Sequence, residues 1–227
     1  MVLGFSTGSL ALSRFRRGLQ MVAGTATKAI ELSALRELEL VPLVSSIDSL
    51  DLSQFTYISL HAPSRLDELS EAEIVEILEP VANRGWPIVV HPDVIKDFET
   101  WQKLGSCLCI ENMDKRKAIG RTVAELTGFF ERLPLARFCF DIGHARQVDP
   151  TMCEADSMLR CLSNRLQQVH LSLVNSKSVH LRLNYESVLA YRRVSGLIPR
   201  EVPIILETPV NQTEISHELE LANDLFS

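Results

Sequence analysis

Five of the six histidines in this 227-residue chain fall at, or just beyond, the end of a short apolar run, and four carboxylates do the same. The second run closes on Glu31, the third on His61, the fourth on His91 and the fifth on Glu111. The sixth closes on Asp141, with His144 three residues further on, and the eighth on Glu207. The seventh carries His170 near its end and His180 in the loop beyond; only His217, in the last helical segment, lies elsewhere. Taken singly, each has an ordinary explanation. A histidine after a strand commonly hydrogen-bonds a loop carbonyl, and a Glu there commonly caps the next helix. Taken together they point to metal binding, because acidic groups converging on one opening repel unless a cation neutralises them. This mixture of imidazole and carboxylate suits Zn, Mn, Co or Mg, and no cysteine closes a run to make a thiolate zinc site.

The elements that must position these residues alternate regularly. Eight β-branched apolar runs occur at Val2–Ser6, Thr27–Glu31, Tyr57–His61, Pro87–His91, Cys107–Glu111, Ala136–Asp141, Gln168–Ser172 and Pro203–Glu207. Helically spaced segments follow them at Leu10–Ala23, Ala34–Leu50 (interrupted by Pro42), Ser70–Leu78, Val94–Leu104, Ile119–Leu133, Thr151–Leu166, Tyr185–Gly196 and Thr213–Phe226. Ser70 and Glu73 make a capping box at the start of the third. Strands apolar on both faces and separated by helices imply a parallel sheet covered by helices. Eight such units fill the chain, so the expectation is one domain over residues 1–227, a single (β/α)8 TIM barrel with its reactive residues at the C-terminal strand ends.

Composition is that of a globular protein: 46% hydrophobic, with a mean hydropathy of +0.08. A net charge of −6 removes any global field that would draw nucleic acid or anionic lipid. No run approaches the roughly 18 apolar residues of a membrane span. The five cysteines, Cys107, Cys109, Cys139, Cys153 and Cys161, are odd in number and three lie in apolar runs, which implies a reducing, cytoplasmic setting. Basic residues follow the first apolar stretch instead of preceding it, unlike a signal peptide.

Other patterns carry less. Gly4-Phe-Ser-Thr-Gly8 has the letters of a nucleophile elbow, but only three residues precede it, too few to supply the strand and oxyanion loop such an elbow needs. Cys107-Leu-Cys109 alternates with Glu111 as inward barrel filler would. Trp86 and Trp101 are expected to pack. The basic run Lys115-Arg-Lys117 after the fifth strand is a solvated loop or a place to receive a sugar phosphate.

The strand-end pattern, from Gly4-Phe-Ser-Thr-Gly8 to Glu207-Thr-Pro209, resembles the xylose isomerase-like TIM barrel superfamily, which holds sugar isomerases and epimerases and the endonuclease IV type of nuclease. The epimerase branch implies one metal held by Glu111, Asp141, His170 and Glu207. The nuclease branch implies further ligands, here matched by His61 in Leu-His-Ala-Pro, His91 in Val-His-Pro, His144 in Asp-Ile-Gly-His, and His180; Ser178 stands where that branch has an Asp, and Leu173 follows His170-Leu-Ser.

The resemblance implies an isomerase or epimerase acting on a carbohydrate or sugar phosphate. A chelated divalent ion acidifies a C–H and stabilises the enediolate, and Glu111 and Glu207 serve as metal ligands and as the acid/base pair. His61 and His144 would hydrogen-bond substrate, with Asn112 beside Glu111 orienting the ligands; Glu31, on the rim by position alone, either binds substrate or serves in packing or capping. The alternative is a zinc-dependent phosphodiesterase, which accounts better for His61, His91 and His180 but for which an acidic chain supplies few cations to grip DNA. A third class, an inactive metal- or sugar-binding barrel, is expected if Glu111 and Glu207 do not face one cavity. A homo-oligomer is left open.

Overall fold

The computed structural model describes residues 1–227. In chain order the elements are β1 (Leu3–Ser6), α1 (Thr7–Ala11), α2 (Phe15–Val22), β2 (Ala29–Ser33), α3 (Glu37–Val44), β3 (Tyr57–His61), α4 (Glu71–Ala82), β4 (Ile88–Val90), α5 (Phe98–Gln102), β5 (Leu108–Glu111), α6 (Val123–Arg132) and β6 (Arg137–Asp141). There follow α7 (Ile142–Val148), α8 (Cys153–Cys161), β7 (Leu166–Leu171), β8 (Leu173–Val174), β9 (His180–Leu181), α9 (Tyr185–Ser195), β10 (Ile204–Leu206) and α10 (Ile215–Phe226).

Strands β1 to β7 and β10 close a parallel barrel in which β1 pairs with both β2 and β10. Alternation along each strand decides what faces where. Outward residues such as Phe5, Ile30, Leu60, Ile110, Phe138, Phe140 and Leu206 belong to a 53-residue core packed between strands and helices. Burying each such side chain contributes on the order of 1.5–3 kcal/mol. Inside, Val89, Cys109 and Cys139 form a small apolar group of their own, joined by the register Val89↔Cys109. Gly4 has no alternative in β1, since a Cβ there would lie 1.8 Å from the Ala29 carbonyl oxygen of β2.

Several elements differ from expectation. The segment Leu10–Ala23 is two helices, because the backbone at Leu12 turns to φ 47. Only Phe98–Gln102 of Val94–Leu104 is α-helical, opened by Asp97 accepting the Thr100 N–H at 3.3 Å. Cys107 precedes β5 in a tight turn, with its Sγ toward the Ala82 carbonyl, and is not barrel filler. Trp101 is buried and donates to Glu71, and Trp86 packs at the core's edge under Arg84, so both are packing residues as expected.

Two additions lie at the C-terminal face. Helix α7 starts directly after β6, and the antiparallel pair β8–β9 rises between β7 and α9. Most consequential, β2 runs on to Ser33, two residues past the expected end, which puts Glu31 below the rim.

Candidate metal centre

Glu111, the last residue of β5, presents its two carboxylate oxygens to two different sets of side chains. Oε2 lies 3.1 Å from His91 Nε2 and 3.3 Å from His61 Nε2. Oε1 lies 2.9 Å from His170 Nδ1 and 3.6 Å from His144 Nδ1. The donor atoms of His61, His91 and Glu111 fall within 4.8 Å of one another, as do those of Glu111, Asp141, His170 and Glu207, and those of Asp141, His144 and His180. Residues as distant in sequence as His61 and Glu207 thus belong to one connected cluster.

Local structure fixes each ring. His61 Nδ1 is 2.8 Å from the Ala62 carbonyl, and donation there leaves Nε2 free to face Glu111. His144 Nδ1 is 2.9 Å from the Asn112 carbonyl. His180 stands on β9, with Nδ1 2.8 Å from Ser172 Oγ and 3.3 Å from Glu207 Oε2. Ser178 sits in the turn of that hairpin at φ 57, on the wall of the cavity onto which Glu111 and Glu207 open.

Asp141 does two things. Its Oδ1 accepts the His144 N–H at 2.6 Å and so caps α7. Its Oδ2 is buried and has no hydrogen-bond partner. Gly143 permits this turn, because a Cβ there would lie 2.6 Å from the Ser172 carbonyl.

Asn112 and Glu31 both lie behind the ligand atoms, away from the open cavity. Asn112 is fully buried, and its amide donates to the Asp141 carbonyl at 2.8 Å while accepting the Asp141 N–H at 2.7 Å. It holds β5 to β6, consistent with an orienting part and not with contact across the cavity. Glu31 is also fully buried; its Oε2 is 3.0 Å from His170 Nε2, 2.7 Å from Gln168 Nε2 and 3.2 Å from Ser59 Oγ. Tyr57 adds a donor to Gln168 at 2.7 Å. This polar layer beneath the mouth escaped the sequence reading, although Ser59 and Gln168 lie two residues before His61 and His170 and therefore share their faces.

The charges at this site oppose one another. Burial alone would raise the Glu111 carboxyl, but the charge of His170 and hydrogen bonds from His170, His61 and His91 hold it well below the usual range. Burial opposes the charged form of His61, yet the hydrogen bond and charge of Glu111 outweigh it and push the ring up to about 9. Burial, with the charges of Glu111 and Asp141, lifts Glu207 to about 7. Burial and the charge of His144 drop His180 to about 3, so that ring is neutral.

His61 and His170, whose affinity for a proton the neighbouring carboxylates raise, therefore stand where an ion would bring positive charge, while burial lowers His91 and His180. The residues fit a divalent ion on three counts: an unpartnered buried oxygen on Asp141, imidazole nitrogens aimed inward, and carboxylates gathered at one opening. Glu111 and Glu207 line the same cavity, about 570 Å³ in volume, together with His61, His91, His144 and His180. Such a volume suits a small molecule.

The sequence matches no protein-family profile and no curated relative. Solved structures do resemble it. Endonuclease IV from Thermus thermophilus superposes with a TM-score of 0.63 at 20% identity, covering 99% of this chain and 98% of that one. A protein described as a sugar phosphate isomerase/epimerase from Anabaena variabilis gives 0.60 at 15% identity, covering 96% and 87%. A xylose isomerase-like TIM barrel protein from Mycobacterium smegmatis, in complex with magnesium, gives 0.58 at 12% identity, covering 96% and 92%. No helix of this chain is long and apolar enough to cross a membrane. By tertiary structure the chain has the fold shared by endonuclease IV and the xylose isomerase-like barrels, as its strand-end residues suggested.

Proposed function

We propose that this protein is a divalent-metal-dependent phosphoesterase. The observation that carries the reading is the position of Glu111, both of whose oxygens are engaged, Oε2 by His61 and His91 and Oε1 by His170. A carboxylate placed between two ligand sets suits a bridge. It is a poor proton carrier, which the isomerase reading requires Glu111 to be.

His61, His91 and Glu111 would hold one ion, and Glu111, Asp141, His170 and Glu207 another; the imidazole content favours Zn, Mn or Co over Mg. Ions bound there supply Lewis acidity to a phosphoryl oxygen and lower the pKa of a water. The chain's own residues do the rest. Glu31 holds the His170 ring from beneath, Asn112 fixes the Asp141 backbone, and Ser172 holds the His180 ring against Glu207. Cations around the mouth are each matched by an acid, Arg116 by Asp114 and Lys117 by Asp93, which argues for a compact phosphoester over a long duplex.

A second reading, metal-dependent sugar isomerisation or epimerisation, is favoured by Glu207. Its carboxyl titrates at about 7, the range suited to passing a proton at neutral pH. The deciding experiment is metal analysis of the purified protein combined with assays on bis(p-nitrophenyl) phosphate and on ketoses. Two or more bound ions with diester cleavage support the proposal; a single ion with ketose turnover would sink it.

A further inference from the structure

The mouth continues sideways into a groove of about 770 Å³, which shares Leu35, Ser64, His91, Arg116 and Lys117 with the cavity wall. The floor of this groove is aliphatic. Leu38 and Val41 on α3 are 75% and 53% exposed there, although side chains of this type are normally buried. Its edges carry Arg36, Arg65 and Arg116, all well exposed, each with a carboxylate beside it: Glu39 at 3.9 Å, Asp67 at 2.7 Å and Asp114 at 2.8 Å.

The groove is held open by its own bonds. Glu37, at the start of α3, accepts the N–H groups of Asp67, Glu68 and Leu69 at 2.7, 2.8 and 3.2 Å, which pins the β3–α4 loop to α3. Lys117 donates to Asp93 at 2.7 Å and to the Ser64 carbonyl at 3.0 Å, tying three strand-end loops together beside His91. Glu37 and Lys117 are therefore struts, and Arg116 is held by the buried Asp114, whereas Arg36 stands 3.9 Å from Glu39 and Arg65 pairs only with the exposed Asp67, weak surface pairs that a phosphate can displace.

We propose that this groove receives the leaving-group side of a nucleoside-bearing phosphodiester of about dinucleotide size. The assignment rests on the phosphoesterase reading. The scissile phosphate would lie at the inner end by His91 and Glu111, a base would lie on Leu38 and Val41, and a distal phosphate would meet Arg36 and Arg65. A base offers apolar faces and polar edges, which match an aliphatic floor with charged margins. A bare sugar would leave that floor wet. A duplex would have to approach a margin that also carries Asp67 and Glu68, both on the groove wall. The volume lies within the roughly 300–1,000 Å³ of small-molecule clefts.

The test compares two substrates of the metal-loaded enzyme, the dinucleotide pTpT and the small diester methyl p-nitrophenyl phosphate. An Arg36→Ala/Arg65→Ala double variant should lower kcat/KM for pTpT about tenfold or more relative to the small diester, mainly through KM, with bound metal retained. Leu38→Asp, a change at a solvent-exposed position, should do the same through the floor. If both variants keep the native ratio of the two substrates, the groove assignment is wrong while the phosphoesterase reading stands. If the native enzyme cleaves neither diester, both fall together. Cleavage of duplex DNA in preference to pTpT would also overturn the groove assignment.

Discussion

Glu31 and Glu111 grip His170 from opposite ends of its ring: Glu31 Oε2 is 3.0 Å from Nε2 and Glu111 Oε1 is 2.9 Å from Nδ1. A carboxylate behind a ligating histidine fixes its tautomer and raises its basicity, and losing it typically costs about 10–100-fold in metal affinity. Glu31→Gln is therefore expected to weaken zinc binding by about that factor. Titration calorimetry on the metal-stripped protein checks this; unchanged affinity would reduce Glu31 to a packing group.

Metal uptake should depend on pH, with a sign that follows from His61 and Glu207. Their folded values, about 9 and about 7, lie above the ordinary ones of 6.5 and 4.5. Each bound proton must leave before an ion enters, so affinity should rise with pH up to about 9, with proton release on binding. The same shifts give the metal-free protein stability that is complete below the unfolded values and lost as pH rises through the folded ones. The thermal midpoint of the stripped protein should fall as pH rises from 4.5 through about 7, where Glu207 ionises, and on toward about 9, where His61 loses its proton, and saturating metal should remove that decline. A flat profile without metal would contradict it.

Asn112→Ala should destabilise the fold by about 1–3 kcal/mol, since it removes the acceptor of the buried Asp141 N–H and one donor to the Asp141 carbonyl. It should also loosen Asp141 as a ligand. Chemical denaturation gives the first quantity and metal affinity the second, and a loss confined to catalysis with both unchanged would mean that Asn112 touches substrate after all.

Leu12→Gly should do the reverse. Leu12 is 69% exposed and holds φ 47, a region that costs an L-residue of order 1–3 kcal/mol. Glycine removes that strain at some cost in unfolded-state entropy, for a net gain of about 1 kcal/mol. Because Leu12 lines the cavity, the same change should raise KM. Lower stability in the variant would show that the side chain is held by contacts worth more than the strain.

The alternation of apolar runs with helical segments was enough to specify a parallel sheet covered by helices, because a strand buried on both faces has to be covered, and eight units favoured a barrel; closure itself came from the pairing of β1 with β10. The period of two then put His61, Glu111, Asp141 and His170 on inward faces, and their places at strand ends put them at one opening. Depth was another matter. Whether β2 stopped at Glu31 or ran on to Ser33 depended on pairing with β1 and β3, strands it meets only in the closed barrel, and that register lowered Glu31 from the rim to a place beneath His170. Asn112 was spent on Asp141 for the same reason, since β6 approaches β5 only through the fold. The two-sided position of Glu111 and the groove beside His91 also came from tertiary packing, because loop paths answer to contacts distant in sequence, whereas strand faces answer to neighbours two residues away.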